Sequence, residues 1–457
     1  MAEARTPQPI DRASIDDLMS LATDRGVTPM NVGAVLFLDT RKGLNQEEAM
    51  ESLARRVNAI PRLRRRLVDV PFGCGRPVWV DDDTFSFSHH LTTVRCPEPR
   101  GEVAVFEVAA ALLATPLPRS RPLWEATLVT DTAEHEAALI LVFHHVLADG
   151  MGGLSILADL SDETLASSGS AFPRPMPSVR QLVANVWAER RRAIRRLPAG
   201  LRRVGNAMTE LRAATGSRLA ATSLNRPTGR KRRFVSIRID LACLIAAGHT
   251  YHGTVNDILL TAIGGALHQI MDARGEAVDE FIISVPFSAR HKSAAGQLGN
   301  QSGVIPLAIP GVGDPRRRLA VVAETTRAAK LAPPGDSTSL LGPFFRLLAR
   351  LGLFQYFVEH QRIIHTFVTN LRGPPERLEV LGFPVTSIMP LSVNTGNITV
   401  SFSALSYAGS LTVTIAADPN TCPDLDLLQR ALIEQLTALM AGGGTFGTGM
   451  WHPSQQA

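Results

Sequence analysis

Cysteine is scarce in this chain: Cys74, Cys96, Cys243 and Cys422 are the only four in 457 residues, and they lie far apart. There is no C-x-x-C pair, so the thiols suggest neither a zinc site nor a disulfide framework. Reduced thiols fit a cytosolic protein. An excess of one charge is also missing, since Lys plus Arg is 47 against 42 for Asp plus Glu, a net +5. With no nucleic-acid-binding motif beside it, so small an excess does not argue for DNA or RNA as a partner. Residues 1–20 have no apolar core of a secretory signal,. No uninterrupted apolar run reaches the ~18 residues of a spanning helix, so membrane contact is expected to be peripheral. Aromatic residues are only 5%, so the cores must be mainly aliphatic. Hydrophobic residues at 45% and charged ones at 19% are an ordinary globular balance rather than a disordered one,.

The length suits two or three domains, or one large pseudo-symmetric pair. Residues 1–165 alternate strand and helix patterns. Strands are expected at Asn31–Asp39, 124–129 and 137–143, and helices at 45–59 and 101–113, with another beginning at 152. Residues 167–177 are rich in Ser and Pro, a loop signal. After them comes a helical, arginine-rich stretch, 179–212, which Pro198 and Gly200 are expected to break in two. We read 166–230 as a basic crossover between an N-terminal lobe, 1–165, and a C-terminal lobe, 231–457. The pattern restarts at Phe234. Strands are expected at 234–239, 281–286, 398–404 and 411–417, the last two joined by a turn at Tyr407-Ala408-Gly409. Helices are expected at 242–249, from Thr254 to about Ala273, at 315–330, over 344–368 and at 425–440. Both halves therefore mix strands and helices, an α/β or α+β class.

The chemistry concentrates at His144-His145-Val146-Leu147-Ala148-Asp149-Gly150, directly after the apolar run 137–143. Imidazole titrates near neutral pH, which suits a base that takes and returns one proton. Adjacent side chains on a strand point to opposite faces, so one histidine can enter a cleft while the other packs. Two adjacent side chains chelate one ion poorly and no third ligand is near, so metal is not expected. The glycines after Asp149 would allow a sharp turn and a close approach of substrate to backbone.

The H-H-x-x-x-D-G segment resembles the signature of the coenzyme-A-dependent acyltransferase superfamily. Further segments narrow the resemblance to the bacterial wax ester synthase/diacylglycerol acyltransferase family. These are Thr28 through Gly33, Pro61-Arg62-Leu63-Arg64-Arg65, Trp79-Val80 with Phe85 through His90, and Pro122-Leu123-Trp124-Glu125. They continue with Asn256-Asp257, Leu298-Gly299-Asn300, Asn370-Leu371-Arg372-Gly373-Pro374 and Ser406-Tyr407-Ala408-Gly409, in the family's order over roughly residues 10–440. The chain departs from the family's pattern at Pro118, at Phe287 and Ala289, and at Arg372 and Pro375.

The resemblance implies a two-lobed, chloramphenicol-acetyltransferase-like fold with a mixed sheet in each lobe and a channel between them. It implies an O-acyltransferase that moves a long-chain acyl group from acyl-CoA to diacylglycerol, or to a long-chain alcohol to make a wax ester. His145 would be the proton acceptor and His144 a supporting residue. Asp149 would pair structurally with Arg290 rather than serve as a triad partner. Asn256 would orient the thioester or donate to its oxyanion, unless it is only a helix cap. Gly150 and Trp124 would adjoin substrate, although Trp124 reads equally as packing between lobes. Gly264-Gly265 would admit an acyl chain or simply pack a helix. No bound cofactor is implied, and acyl-CoA is the co-substrate. The arginine-rich crossover reads either as an interfacial helix on a membrane or lipid body, or as a solvated face. A non-catalytic lipid-binding protein is the rival from another class, and a peptide-synthetase condensation domain a third reading.

Overall fold

In the computed structural model, residues 10–24, 28–147, 150–161, 172–195, 222–288, 302–331, 348, 351–441 and 451–452 are described. Helices α1 (Ile15–Thr23), α2 (Gln46–Ala59), α3 (Glu102–Leu113), α4 (Gly150–Leu160) and α5 (Val179–Arg195) belong to the N-terminal half and crossover. Helices α6 (Leu241–Thr250), α7 (Val255–Ala273), α8 (Pro315–Leu331), α9 (Phe354–His360) and α10 (Leu425–Ala441) follow. The strands are β1 (Asn31–Asp39), β2 (Arg65–Val68), β3 (Val78–Asp81), β4 (Leu91–Arg95), β5 (Trp124–Ala133), β6 (Glu136–His144) and β7 (Arg233–Asp240). Beyond them lie β8 (Glu280–Ser288), β9 (Ser302–Pro310), β10 (Thr366–Arg372), β11 (Glu379–Val380), β12 (Phe383–Leu391), β13 (Val400–Tyr407), β14 (Ser410–Ala417) and β15 (Trp451–His452).

Both large sheets are mixed. Among the described residues, the first has six strands in the order β11-β12-β1-β6-β5-β4, and the second seven in the order β15-β7-β14-β13-β10-β8-β9. Strand β1 lies between β6 and β12 and is antiparallel to both, while β4 runs parallel to β5. In the second sheet β10 is parallel to β8 and β13. The hairpin β11–β12 lies past residue 231 in sequence yet completes the first sheet, with Leu391 opposite Gly33. The two sheets are thus interleaved in chain order.

Aliphatic side chains fill both cores, as a chain poor in aromatics requires. Strands β1 and β6, covered on both faces, read as continuous apolar runs, and Val35, Leu38, Ala137, Ala138, Leu139 and Ile140 are fully buried,. Four residues from the second sheet, Phe234, Leu405, Tyr407 and Ala416, join the first core. Helix α7 is buried along most of its length, which leaves no room for side chains where it meets its neighbours. A Cβ on Gly264 would lie 2.8 Å from both Ile309 Cγ2 and the Pro310 carbonyl, and one on Gly265 would collide with Arg318 and Gln435. These glycines admit protein, not an acyl chain.

The β13–β14 hairpin turns at Ala408 (φ 45°) and Gly409 (φ 81°), a two-residue loop of the left-handed kind that matches strand twist,. The helix expected over 344–368 differs from the structure. Among the described residues of that stretch, Leu348 and Phe354–His360 are helical, and β10 begins at Thr366. The Gln361 side chain ends the helix: its Oε1 accepts from the N–H groups of Ile363 (2.7 Å) and Ile364 (3.0 Å) in place of helical carbonyls,. The breaks expected at Pro198 and Gly200 lie outside the described residues.

Candidate active site

Strand β6 ends at His144, opposite Asn31 of β1. Backbone bonds fix this end from both sides: His144 N–H donates to Leu123 O at 2.9 Å, and His145 N–H to Met30 O at 2.7 Å. A turn follows immediately, with Leu147 N–H donating to His144 O at 2.8 Å. Val146 and Leu147 are fully buried and anchor it. Helix α4 then starts at Gly150, and Gly153 faces the Phe143 ring, where a Cβ would lie 2.9 Å away. Gly153 therefore serves packing of α4 on β6.

The two histidines have different surroundings. His144 is buried and His145 only partly so. His144 Nδ1 accepts from Val146 N–H at 3.0 Å, which places the proton of a neutral ring on Nε2,. That Nε2 lies 3.3 Å from Asp24 Oδ2. Asp24 also accepts from Met30 N–H (3.0 Å) and Arg119 Nη2 (2.8 Å). Burial pushes the Asp24 carboxyl up, but the contacts with His144, Arg119 and Met30 N–H outweigh it and hold it down at about 2,.

The same loop is gripped from the second half of the chain. Arg232 is 8% exposed and donates through Nη2 to Thr28 Oγ1 at 2.8 Å. It also donates to the carbonyls of Gly229 and Lys231, both at 2.7 Å, to Asn394 O at 2.5 Å and to Thr228 Oγ1 at 3.4 Å. Burial lowers this guanidinium to about 10 against the opposing pull of Asp418, 3.9 Å away.

Asn256 stands in the first turn of α7, but it is not the cap. Thr254 is the N-cap and Asp257 closes a capping box with it,. Asp257 also accepts from Thr326 Oγ1 at 2.7 Å, so this buried carboxylate is committed to structure. The Asn256 carboxamide oxygen faces Asn370 Nδ2 at 3.5 Å, which brings the Asn-Asp and Asn-x-x-Gly-Pro segments together.

Trp124 lies in the core and not at a cleft. It is 3% exposed, its indole N–H donates to Leu63 O at 2.7 Å, and it stacks on His90 at 4.6 Å. Its segment serves the site through the Leu123 carbonyl. The arginine-rich turn is structural too: Arg62 lies 3.6 Å from the centroid of the Trp79 ring and 3.2 Å from Asp11. Tyr407 is a tie between sheets, since its hydroxyl accepts from Leu378 N–H (2.8 Å) and donates to Val385 O (3.0 Å). Asp149 and Arg290 lie outside the described residues. Among the described residues, no group of three His, Cys, Asp or Glu side chains is placed to hold a metal ion.

The sequence pattern drew attention to the histidine pair but passed over Asp24 and Arg232. Asp24 carries no motif spacing to the histidines, and Arg232 is one of four consecutive basic residues. Only the folded chain shows which arginine is buried.

The fold of two interleaved mixed sheets is shared with solved acyltransferase and condensation-domain structures. The wax ester synthase/diacylglycerol acyltransferase of Marinobacter aquaeolei superposes with a TM-score of 0.69 at 18% identity, covering 95% of this chain and 100% of that one. A starter condensation domain of rhizomide synthetase, solved with C8-CoA, superposes at 0.64 with 15% identity, covering 94% of each chain. At the sequence level, residues 14–259 match the wax ester synthase/diacylglycerol acyltransferase catalytic domain and residues 298–440 the family's C-terminal domain. A Mycobacterium tuberculosis protein named a probable diacylglycerol O-acyltransferase is 31% identical over 92% of both chains. The chain belongs to the wax ester synthase/diacylglycerol acyltransferase family.

Proposed function

We propose that this protein transfers a long-chain acyl group from acyl-CoA to the free hydroxyl of diacylglycerol, with His145 as general base. The observation that carries the assignment of roles is the unequal histidine pair. His144 is turned inward onto Asp24, while His145, held at its backbone by Met30 O, is partly exposed at the end of β6. His145 takes the hydroxyl proton as the alcohol oxygen attacks the thioester carbonyl. The carbon–sulfur bond then breaks, and the imidazolium returns its proton to the leaving thiolate. The tetrahedral oxyanion needs a donor, and the Asn256 amide N–H₂ is assigned that role, its oxygen being turned to Asn370,. Asp149 and Arg290 form a structural ion pair in this reading, and Gly150 adjoins the substrate. The lobes are residues 1–165 and 231–457, apart from the returning hairpin, with 166–230 as the crossover.

The family's description names two acceptors, so the alcohol is the open choice. Purified protein given one labelled long-chain acyl-CoA with diacylglycerol, monoacylglycerol, hexadecanol or a secondary diol decides it. Triacylglycerol as the main product supports the reading, and wax ester as the main product moves the assignment to the long-chain alcohol. No transfer to any acceptor would leave the non-catalytic lipid-binding reading.

Diacylglycerol resides in lipid, and among the described residues no helix is long and apolar enough to cross a membrane. We place the protein on the cytoplasmic side, where acyl-CoA is made, in peripheral contact with the inner membrane face or lipid bodies.

A further inference from the structure

The Asp24 carboxylate lies outside every motif, yet it gathers the pieces of chain that carry the histidines. Oδ1 accepts from Met30 N–H at 3.0 Å, and the carbonyl of Met30 in turn accepts from His145 N–H at 2.7 Å. Oδ2 faces His144 Nε2 at 3.3 Å and accepts from Arg119 Nη2 at 2.8 Å. His144 Nδ1 is already engaged as acceptor by Val146 N–H, so its neutral ring meets the carboxylate as the Nε2–H tautomer,. We infer that Asp24 is a positioning residue for the reaction: it fixes the tautomer and ring of His144 and the Met30 peptide, and through both it sets where His145 stands.

The inference rests on His145 as base and deepens that reading. A carboxylate suits the place because all three neighbours are donors and a carboxylate accepts only. An amide does not. In Asp24→Asn one oxygen can still serve Met30 N–H, but the amide N–H₂ then meets the His144 Nε2–H and the Arg119 guanidinium, donors against a donor. Neutral His144 must give up either that contact or its bond to Val146 N–H. Because a misplacement of about 1 Å can cost on the order of 100-fold in rate, the loss belongs in kcat and not in substrate binding.

The test is a double-mutant cycle between Asp24→Asn and His144→Ala, read as kcat and KM for acyl-CoA and diacylglycerol. Asp24→Asn alone should lower kcat by about 10- to 100-fold with KM nearly unchanged. In the His144→Ala background the same substitution should cost less than about 2-fold, since residues acting through one another are not additive. A purely structural carboxylate would multiply the two losses, and that result, or a fully active Asp24→Asn, overturns the inference. If Asp24→Asn fails to fold, His144→Gln substitutes for it. Its amide can still donate to Asp24, so it should keep at least about 10-fold more activity than His144→Ala. Equal rates for the two would overturn the inference. His145→Ala separates the two levels. Full turnover there removes the base assignment itself, whereas an inactive His145→Ala beside a fully active Asp24→Asn removes only the role of Asp24.

Discussion

A proton acceptor must be reachable by its substrate, and of this pair only His145 is partly exposed. His145→Ala should lower turnover about 100- to 10,000-fold, the ordinary scale for loss of a general base, and His144→Ala should do less. Initial rates with labelled acyl-CoA measure both, and wild-type rates from His145→Ala would remove the mechanism. A different histidine should contribute to acid stability. His365 is 2% exposed, its Nδ1 accepts from Ile282 N–H at 2.9 Å, and burial holds it down at about 4. An unfolded histidine titrates near 6.5, so between these values the unfolded chain takes up a proton that the folded one refuses. Its stabilisation is complete above about pH 6.5 and falls by up to about 3 kcal/mol as pH drops to about 4. Glu102 and Glu136, raised by burial, titrate with the opposite effect. Urea unfolding of wild type against His365→Asn between pH 7 and 4.5 isolates the histidine, and parallel curves would disprove its role. The histidine motif was legible because its members are adjacent in sequence. Asp24 and Arg232 were not, because each is defined by partners from distant segments.

Helix α7 shows how an element can be read correctly for position and openly for purpose. Its start is marked by Thr254 and Asp257, a capping box whose spacing is visible in the sequence,. Its Gly264-Gly265 step admitted two uses, and packing against β9 and α8 answers for one. Gly264→Ala gains helix propensity of about 1 kcal/mol. It should still destabilise the protein by about 1–3 kcal/mol, because the Pro310 carbonyl, 2.8 Å from the new Cβ, is backbone and cannot rotate away,. A melting temperature at or above that of wild type would contradict this. Strands were harder to read than helices. Strand β12 contains Pro384 and Pro390, which argue against a strand in sequence. β11 pairs only with Phe383 and Pro384, so along most of its length β12 has no second neighbouring strand among the described residues. That open edge accommodates Pro390, which has no N–H, whereas Pro384 lies within the short stretch that β11 pairs. The stretch 344–368 joined α9 to β10 by composition alone, and the stop lies in the hydrogen bonds of one side chain, Gln361.

At the scale of the molecule, the arginine-rich crossover is fastened to the N-terminal half, and this decides which of its residues can meet lipid. Helix α5 buries Leu182 against the small β2–β3 sheet and Val186 against Gly75 in the loop between those strands. Arg12 bonds to Asn185 Oδ1 at 2.7 Å and to Leu182 O at 3.1 Å from the same side. Val179 (54% exposed) and Trp187 (57%) are left in the open, together with exposed Arg180, Arg190 and Arg191. An exposed indole beside arginines is the composition of a helix lying at a headgroup boundary. Each arginine near an anionic surface contributes about 1 kcal/mol, an attraction that fades within a Debye length. Replacing Arg190 and Arg191 by glutamine should therefore weaken sedimentation with anionic vesicles by roughly 30-fold at low salt, and less at high salt. Trp187→Ala should weaken it at both salt concentrations, because its contribution is apolar. Turnover of a short, soluble alcohol should stay at the wild-type rate in both variants, since α5 packs on β2–β3 rather than on the end of β6. Unchanged vesicle binding in both the arginine and the tryptophan variants would make this helix a solvated link between the lobes and move the lipid contact elsewhere on the surface.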